Sequence, residues 1–234
     1  MRRVLVSLGI GASLIAAHAC SPSPALPLAL AAARNAADRV RAMLGRGAAA
    51  DARDTGGLTP LMWAARSGSI DAMTVLLDAG ADPNARDARH RWTPLLHTIH
   101  RQQPAAVRLL LARGADPNLA ARGRTTPLMM AAEDPDPSNV HELLARGADP
   151  HVVGPGGTTA LTQAVSGGAF TDRTDRPLFG GCRLETVRAL LAHDAALRLP
   201  DNFAGRQALW WAKINGCEEV VRLVDGSQRT ARMR

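Results

Sequence analysis

One short pattern returns along this chain at a nearly constant interval of about 33 residues, and that interval limits the possible fold more than any other feature. Thr59-Pro60-Leu61-Met62-Trp63-Ala64-Ala65 is followed by Thr93-Pro94-Leu95-Leu96-His97. One interval further on comes Thr126-Pro127-Leu128-Met129-Met130-Ala131-Ala132, and after another comes Thr159-Ala160-Leu161. A fifth copy, Gln207-Ala208-Leu209-Trp210-Trp211-Ala212, arrives after a longer gap. A second string recurs in phase: Leu76-Leu77-Asp78-Ala79-Gly80-Ala81-Asp82-Pro83-Asn84, then Leu110 to Asn118, then Leu143 to Pro150, with a degraded copy at Leu190 to Ala196. A fixed period of this length is the mark of a stacked array in which each unit covers its neighbour.

The residue types explain the unit. Thr is a good N-cap, because its hydroxyl accepts a hydrogen bond from a free backbone N–H. Pro at the first helical position loses no hydrogen bond and pre-sets φ. The small Ala-Ala pair lets helices approach closely. A second helix is predicted where apolar residues take helical spacing, as at Ile70, Met73, Leu76 and Leu77. Gly80, Gly114 and Gly147 then end it in the left-handed conformation that a Cβ disfavours. Asp-Pro-Asn and the polar residues after it form a projecting turn. Aromatics are only 3% of the chain and Tyr is absent. The core must therefore be aliphatic, which suits closely packed short helices.

These strings resemble the ankyrin repeat, whose pattern contains T-P-L-H-x-A-A and later L-L-x-x-G-A-D-x-N. The resemblance covers about residues 25–226 and implies an all-α solenoid of about six helix-turn-helix units with projecting β-turn loops. The expected units are 25–57, 58–91, 92–124, 125–157, 158–203 and 204–226. The first lacks Thr-Pro-Leu but keeps Val40, Met43, Leu44 and Gly45-Arg46-Gly47, as an N-terminal cap would. Residues 227–234 read as a frayed basic tail.

The fifth unit is interrupted. Leu161 and Leu190 stand nearly twice as far apart in sequence as Leu61 and Leu76, the matching pair of the second unit. The extra stretch, 170–181, holds Thr171-Asp172-Arg173-Thr174-Asp175-Arg176 and then Pro177-Leu178-Phe179. It reads as a surface loop or as a partner-binding or structure-locking element.

The first residues have the three parts of a secretory signal: basic Arg2-Arg3, apolar Val4 to Ala17, and small Ala17-His18-Ala19. The apolar run is too short for a spanning helix. Residues 1–19 are thus expected to be a signal peptide. Cys20 resembles the lipidated Cys of a bacterial lipobox, with Ser21 to Pro24 as a tether. A plain cut after Ala19 would leave the same N-terminus without lipid. The expected location is the periplasm, with or without a lipid anchor in the outer membrane. Cys182 and Cys217 then remain as a pair, both between the two helices of neighbouring units. An oxidising compartment permits a disulfide there, and two separate thiols are the other reading.

Net charge is +7, and Lys213 is the only Lys. The Arg residues are spread over many units, the pattern of a solvated face. An exported chain is not expected to meet nucleic acid. His97 and His100 stand i, i+3 on one predicted helix, but no third metal ligand is set by spacing. No nucleophile elbow, phosphate loop or zinc spacing appears. No enzyme, cofactor or metal is expected.

Ankyrin proteins bind partners through loop tips and the inner helix face. The resemblance carries this to Leu58, Arg89, His90, Trp92, Arg122, Arg124, Phe203 and Arg206 at the loops. On the first helices it gives Arg66, His100, Arg101, Glu133, Asp134 and Lys213. Trp92 stands just before Thr93, where the unit needs no apolar residue, beside Arg89, His90 and Arg91. Trp and Arg often anchor interfaces; packing on the adjoining loop is the competing role. Trp63 and Trp211 read as packing residues, and Trp210 as either. A monomer is expected that binds a protein with an acidic surface, acting as an envelope scaffold or as a dedicated inhibitor of a toxic effector.

Overall fold

Every Thr that precedes the recurring Pro or Ala serves as an N-cap. Thr59, Thr93, Thr126 and Thr159 accept hydrogen bonds from the backbone N–H groups of Met62, Leu96, Met129 and Thr162 at 3.2–3.3 Å. Each satisfies an amide that the helix itself leaves open. The computed structural model describes residues 26–167 and 181–232. The expected signal peptide and tether, Cys20, and all of the 170–181 insertion except Gly181 lie outside the described residues.

The described residues contain twelve α-helices and no strand. They are α1 Leu26–Ala33, α2 Ala37–Leu44, α3 Pro60–Ser67, α4 Ile70–Asp78, α5 Pro94–His100 and α6 Pro104–Ala112. There follow α7 Pro127–Ala131, α8 Ser138–Ala145, α9 Ala160–Ser166, α10 Leu184–His193, α11 Phe203–Ile214 and α12 Glu218–Arg232. Two rows result. The inner row runs α1, α3, α5, α7, α9, α11, each helix packed on the next. The outer row runs α2, α4, α6, α8, α10, α12 in the same order. The chain is an all-α ankyrin-type solenoid.

The core lies between the rows and runs from Leu28 to Val224 without a break. Leu61, Leu95, Leu128 and Leu161, one per unit, are at most 1% exposed. Gly80, Gly114 and Gly147 have φ of 82°, 87° and 82°, so each chain reversal needs a residue without a Cβ.

The turns are joined by side-chain rungs. Asp51 accepts from the N–H of Asp82 at 3.1 Å. Asn84 accepts from the N–H of Asp116 at 2.8 Å and donates to the carbonyl of Gly114 at 3.1 Å. Asn118 repeats this on Asp149 and Gly147 at 2.8 and 3.0 Å. Two arginines also serve the stack: Arg53 donates to the carbonyl of Arg86 and Arg86 to that of Ala120, at 2.7 and 3.1 Å.

The far end departs from sequence expectation in two places. Helix α12 continues to Arg232, so the backbone expected to fray from residue 227 extends the last helix instead. Helix α11 begins at Phe203, a full turn before Gln207, because Asn202 caps it by accepting from the N–H of Gly205 at 3.0 Å. Phe203 and Arg206 therefore sit on a helix and not on a loop tip.

Candidate functional site

Two loop carboxylates, one repeat apart, fix the geometry of one surface cleft. Asp54 accepts from the N–H groups of Gly56 and Leu58 at 2.8 and 2.9 Å. Its other oxygen accepts from the indole Nε1 of Trp63 on α3 at 2.9 Å. Asp87 does the same one unit on. Its Oδ1 accepts from the N–H of His90 at 2.7 Å, and its Oδ2 lies 3.2 Å from Nε2 of His97 on α5. Each carboxylate ties its loop to the inner helix behind it. In the next two units the corresponding loop residues are Ala121 and Gly154, facing Met130 and Gln163, and this tie is not available.

His97 is 6% exposed and Asp87 5%. Burial pushes the His97 imidazole down to about 4. Asp87 opposes that shift, while Arg66 and, less strongly, His100 add to it. At neutral pH the ring is uncharged and donates from Nε2, since a carboxylate only accepts.

Trp92 is the hub. It is half-buried against the core, and its backbone carbonyl accepts from the N–H of Asp87 at 2.9 Å. Its ring lies 5.3 Å from His97, 5.0 Å from His100 and 5.7 Å from His90, all tilted or edge-on. Such tilted ring contacts favour fixed orientations. The ring thus packs against the core, one of the two roles expected for it, and also lines the surface cleft.

The cleft has a volume of about 350 Å³. Leu58, Arg66, Arg89, His90, Trp92, His100 and Arg101 line it, with Gly56, Asp87 and His97. The structure thus brings together seven of the expected binding residues, from two loops and two helices. Arg122 touches the same region through its backbone N–H, which donates to the carbonyl of His90 at 2.8 Å. Arg124 is exposed with a left-handed φ of 68° on the next loop.

Other expected residues lie elsewhere. Phe203, 69% exposed, and Arg206, 3.4 Å from Asp201, are at the far end on α11. Lys213 is exposed on the same helix. Trp210 is 54% exposed, with its ring edge-on to Trp211 at 5.1 Å. Glu133 and Asp134 are not on an open helix face. α7 ends at Ala131, and both residues turn inward to 4% and 2% exposure. Asp134 accepts from Gln102 at 2.6 Å, and the Glu133 carbonyl accepts from Arg183 at 2.9 Å. Trp63 and Trp211 are half-buried and not core residues. Trp63 instead uses its N–H on Asp54 and carries Arg66 over its ring at 5.5 Å.

Sequence reasoning passes over Asp54 and Asp87. Their signal is present in the chain: an Asp recurs at the repeat period, each time shortly before a ring with an N–H on the inner helix. No group of three His, Cys, Asp or Glu among the described residues is placed to hold a metal.

Cys182 and Cys217 are brought together as a disulfide, with Cα atoms 5.5 Å apart. It links the residues just before α10 and α12. The residues expected to form the insertion lead directly into this bond at Cys182.

Comparison with known proteins agrees with the geometry. The family described as ankyrin repeats (3 copies) matches residues 8–87, 28–121 and 128–230. The crystal structure of an ankyrin repeat domain from Acinetobacter baumannii is similar, with 30% identity and a TM-score of 0.73. That similarity covers 86% of this chain and 97% of the other. No curated protein sequence matches the chain.

Proposed function

Since the chain belongs to the ankyrin-repeat family, we propose that it is a protein-binding module of the bacterial cell envelope, holding its partner at the cleft between the second and third units. Ankyrin repeats are protein–protein interaction modules and generally non-enzymatic scaffolds. Fold alone does not choose the partner, so the finer reading rests on the site. The observation that carries it is the convergence of Arg66, Arg89, His90, Trp92, His100 and Arg101 on one recess. Their loops are already pinned by Asp54 and Asp87, so little order is lost on binding.

The envelope location is supported by the basic, apolar and small-residue segments of residues 1–19. A disulfide between Cys182 and Cys217 suits the same oxidising compartment. Lipidation at Cys20 would anchor the array to the outer membrane. The protein acts as a monomer, without a cofactor and without catalysis. No helix of the described residues is long and apolar enough to cross a membrane.

The test is capture from the envelope fraction with a C-terminally tagged chain, wild type against a Trp92→Ala, Arg89→Ala double variant. One stoichiometric protein is expected with the wild type and absent with the variant. A partner retained equally by both would rule out this cleft as the binding face.

A further inference from the structure

We propose that the cleft receives an acidic segment of the partner, with a carboxylate side chain against Arg66, Arg89 and Arg101 and an adjoining apolar side chain laid on the Trp92 ring. The inference rests on the protein-binding reading above and specifies what is bound.

Charge is the first argument. Arg41, Arg113, Arg146, Arg188 and Arg206 each have a carboxylate within salt-bridge distance. Among the described residues, no ion pair engages Arg66, Arg89 or Arg101, although all three line one recess. The only acid in the lining is Asp87, 5% exposed, whose oxygens are already on His90 and His97. Three arginines thus stand against one buried carboxylate, which leaves net positive charge in a partly enclosed space, where an incoming anion is screened less than on open surface.

Shape and chemistry are the second. Arg66 lies over the Trp63 ring at 5.5 Å. A stacked guanidinium keeps its in-plane donors for a carboxylate, which it can grip with two parallel hydrogen bonds. Trp92 offers a half-buried indole flanked by the rings of His90 and His100. A volume of about 350 Å³ is at the small end for a binding site. It fits a few side chains of a protruding segment.

A phosphate backbone is the competing anion, and the surroundings disfavour it. Exposed Asp51, Asp82, Asp116 and Asp149 recur along successive turns. Positive charge is therefore interrupted from unit to unit, where a nucleic-acid strand would need a continuous stripe.

The probe is a capped peptide of sequence Glu-Glu-Phe-Glu-Glu, titrated into the full chain while the four indole N–H signals are followed by NMR. The Trp92 signal is assigned with Trp92→Phe. It is expected to shift, and affinity to fall about tenfold in an Arg66→Gln, Arg89→Gln double variant. An Arg41→Gln, Arg113→Gln double variant, altered at paired arginines, should bind as the wild type does. Replacing Glu by Gln in the peptide should abolish the shift, and replacing Phe by Ala should weaken it. The inference is overturned if the Gln peptide shifts Trp92 equally, if the acidic peptide leaves it unmoved, or if a short single-stranded oligonucleotide binds there more tightly. Should envelope capture depend on Trp92 while the acidic peptide has no effect, the protein-binding reading stands and the acidic assignment falls. The arginines replaced are exposed or half-buried, and circular dichroism checks that these variants and Trp92→Phe fold.

Discussion

At the second and third units, each loop is tied to its own inner helix by a carboxylate, Asp54 to Trp63 and Asp87 to His97. At the fifth, Gly154 has no side chain to make such a tie, and the fifth and sixth units are fastened to each other by cross-links. Cys182 is bonded to Cys217, and Arg188 bridges α10 to Glu219 on α12. The first arrangement stiffens the loops and so shapes a surface. The second holds the end of the stack, where no further unit covers α11 and α12 among the described residues. One repeat plan thus carries a shaped cleft in one place and a cross-linked end in another, through side chains that the repeat pattern does not dictate.

Breaking the cross-link should have the largest effect. Cys182 and Cys217 are 35 residues apart. In the chain-entropy account, closing a loop of that size stabilises by about 4 kcal/mol. A Cys182→Ser, Cys217→Ser variant should lose most of this. In a solenoid the loss should stay near the broken joint. Hydrogen exchange should therefore accelerate in α10–α12 far more than in α3–α6. Reductant should reproduce the loss in wild type and do nothing to the double variant. Equal acceleration along the whole array would show that the two regions are not independently held.

What is legible in sequence follows this same division. The solenoid, the inner Leu positions and the Thr caps are readable because the period repeats each several times and the physics of each is local. The cleft is readable in part, since Trp92 and the arginines stand out as residues that no repeat position needs. Asp54 and Asp87 escape notice, because an Asp in a turn is ordinary until the ring it meets is known. Glu133 and Asp134 fall on the open face only if the repeat pattern carries α7 past Ala131, where the helix in fact ends. Phe203 and Arg206 fall on a loop for the opposite reason, since Asn202 starts α11 a turn early. Caps and helix ends that depend on one residue, and not on the period, are where extrapolating the repeat fails.

The loop tie at Asp87 gives the next largest effect, and it depends on pH. His97 has a folded value of about 4 against 6.5 when exposed. Between those values the unfolded chain binds a proton that the folded chain does not. Stability therefore falls as pH drops from about 6.5 toward 4. The size is roughly 3 kcal/mol over the full window. Urea unfolding at pH 7 and pH 5 should show the decline, and His97→Gln should flatten it. A wild-type stability that stays level across this window would mean that His97 is not held neutral against Asp87, and the stiff-loop side of the comparison would lose its basis.

The turn rungs give the smallest effects and the finest test. His151 stands at the repeat position of Asn84 and Asn118, and Asp194 at that of Gly114 and Gly147. Asn118 bonds backbone on the next turn. His151 Nε2 instead meets the Asp194 side chain at 2.7 Å, and Asp194 itself accepts from the N–H of Ala196 at 2.7 Å. The far end again replaces a repeated backbone contact by a side-chain pair. Asn118→Ala removes two hydrogen bonds and should cost about 1–2 kcal/mol, by the same amount at every pH. His151→Ala breaks an exposed pair and should cost less. Its partner's carboxyl is held below its ordinary value of 3.8, first by the Ala196 N–H and then by His151. That contribution is complete above 3.8 and is lost as pH falls through the lower folded value. Exchange of the Ala196 amide should accordingly lose its protection in strong acid before the Asp149 amide, which Asn118 holds without a titrating group. If both amides lose protection at the same pH, the two rungs act alike and the exchange of chemistry at the far end carries no consequence for the turn.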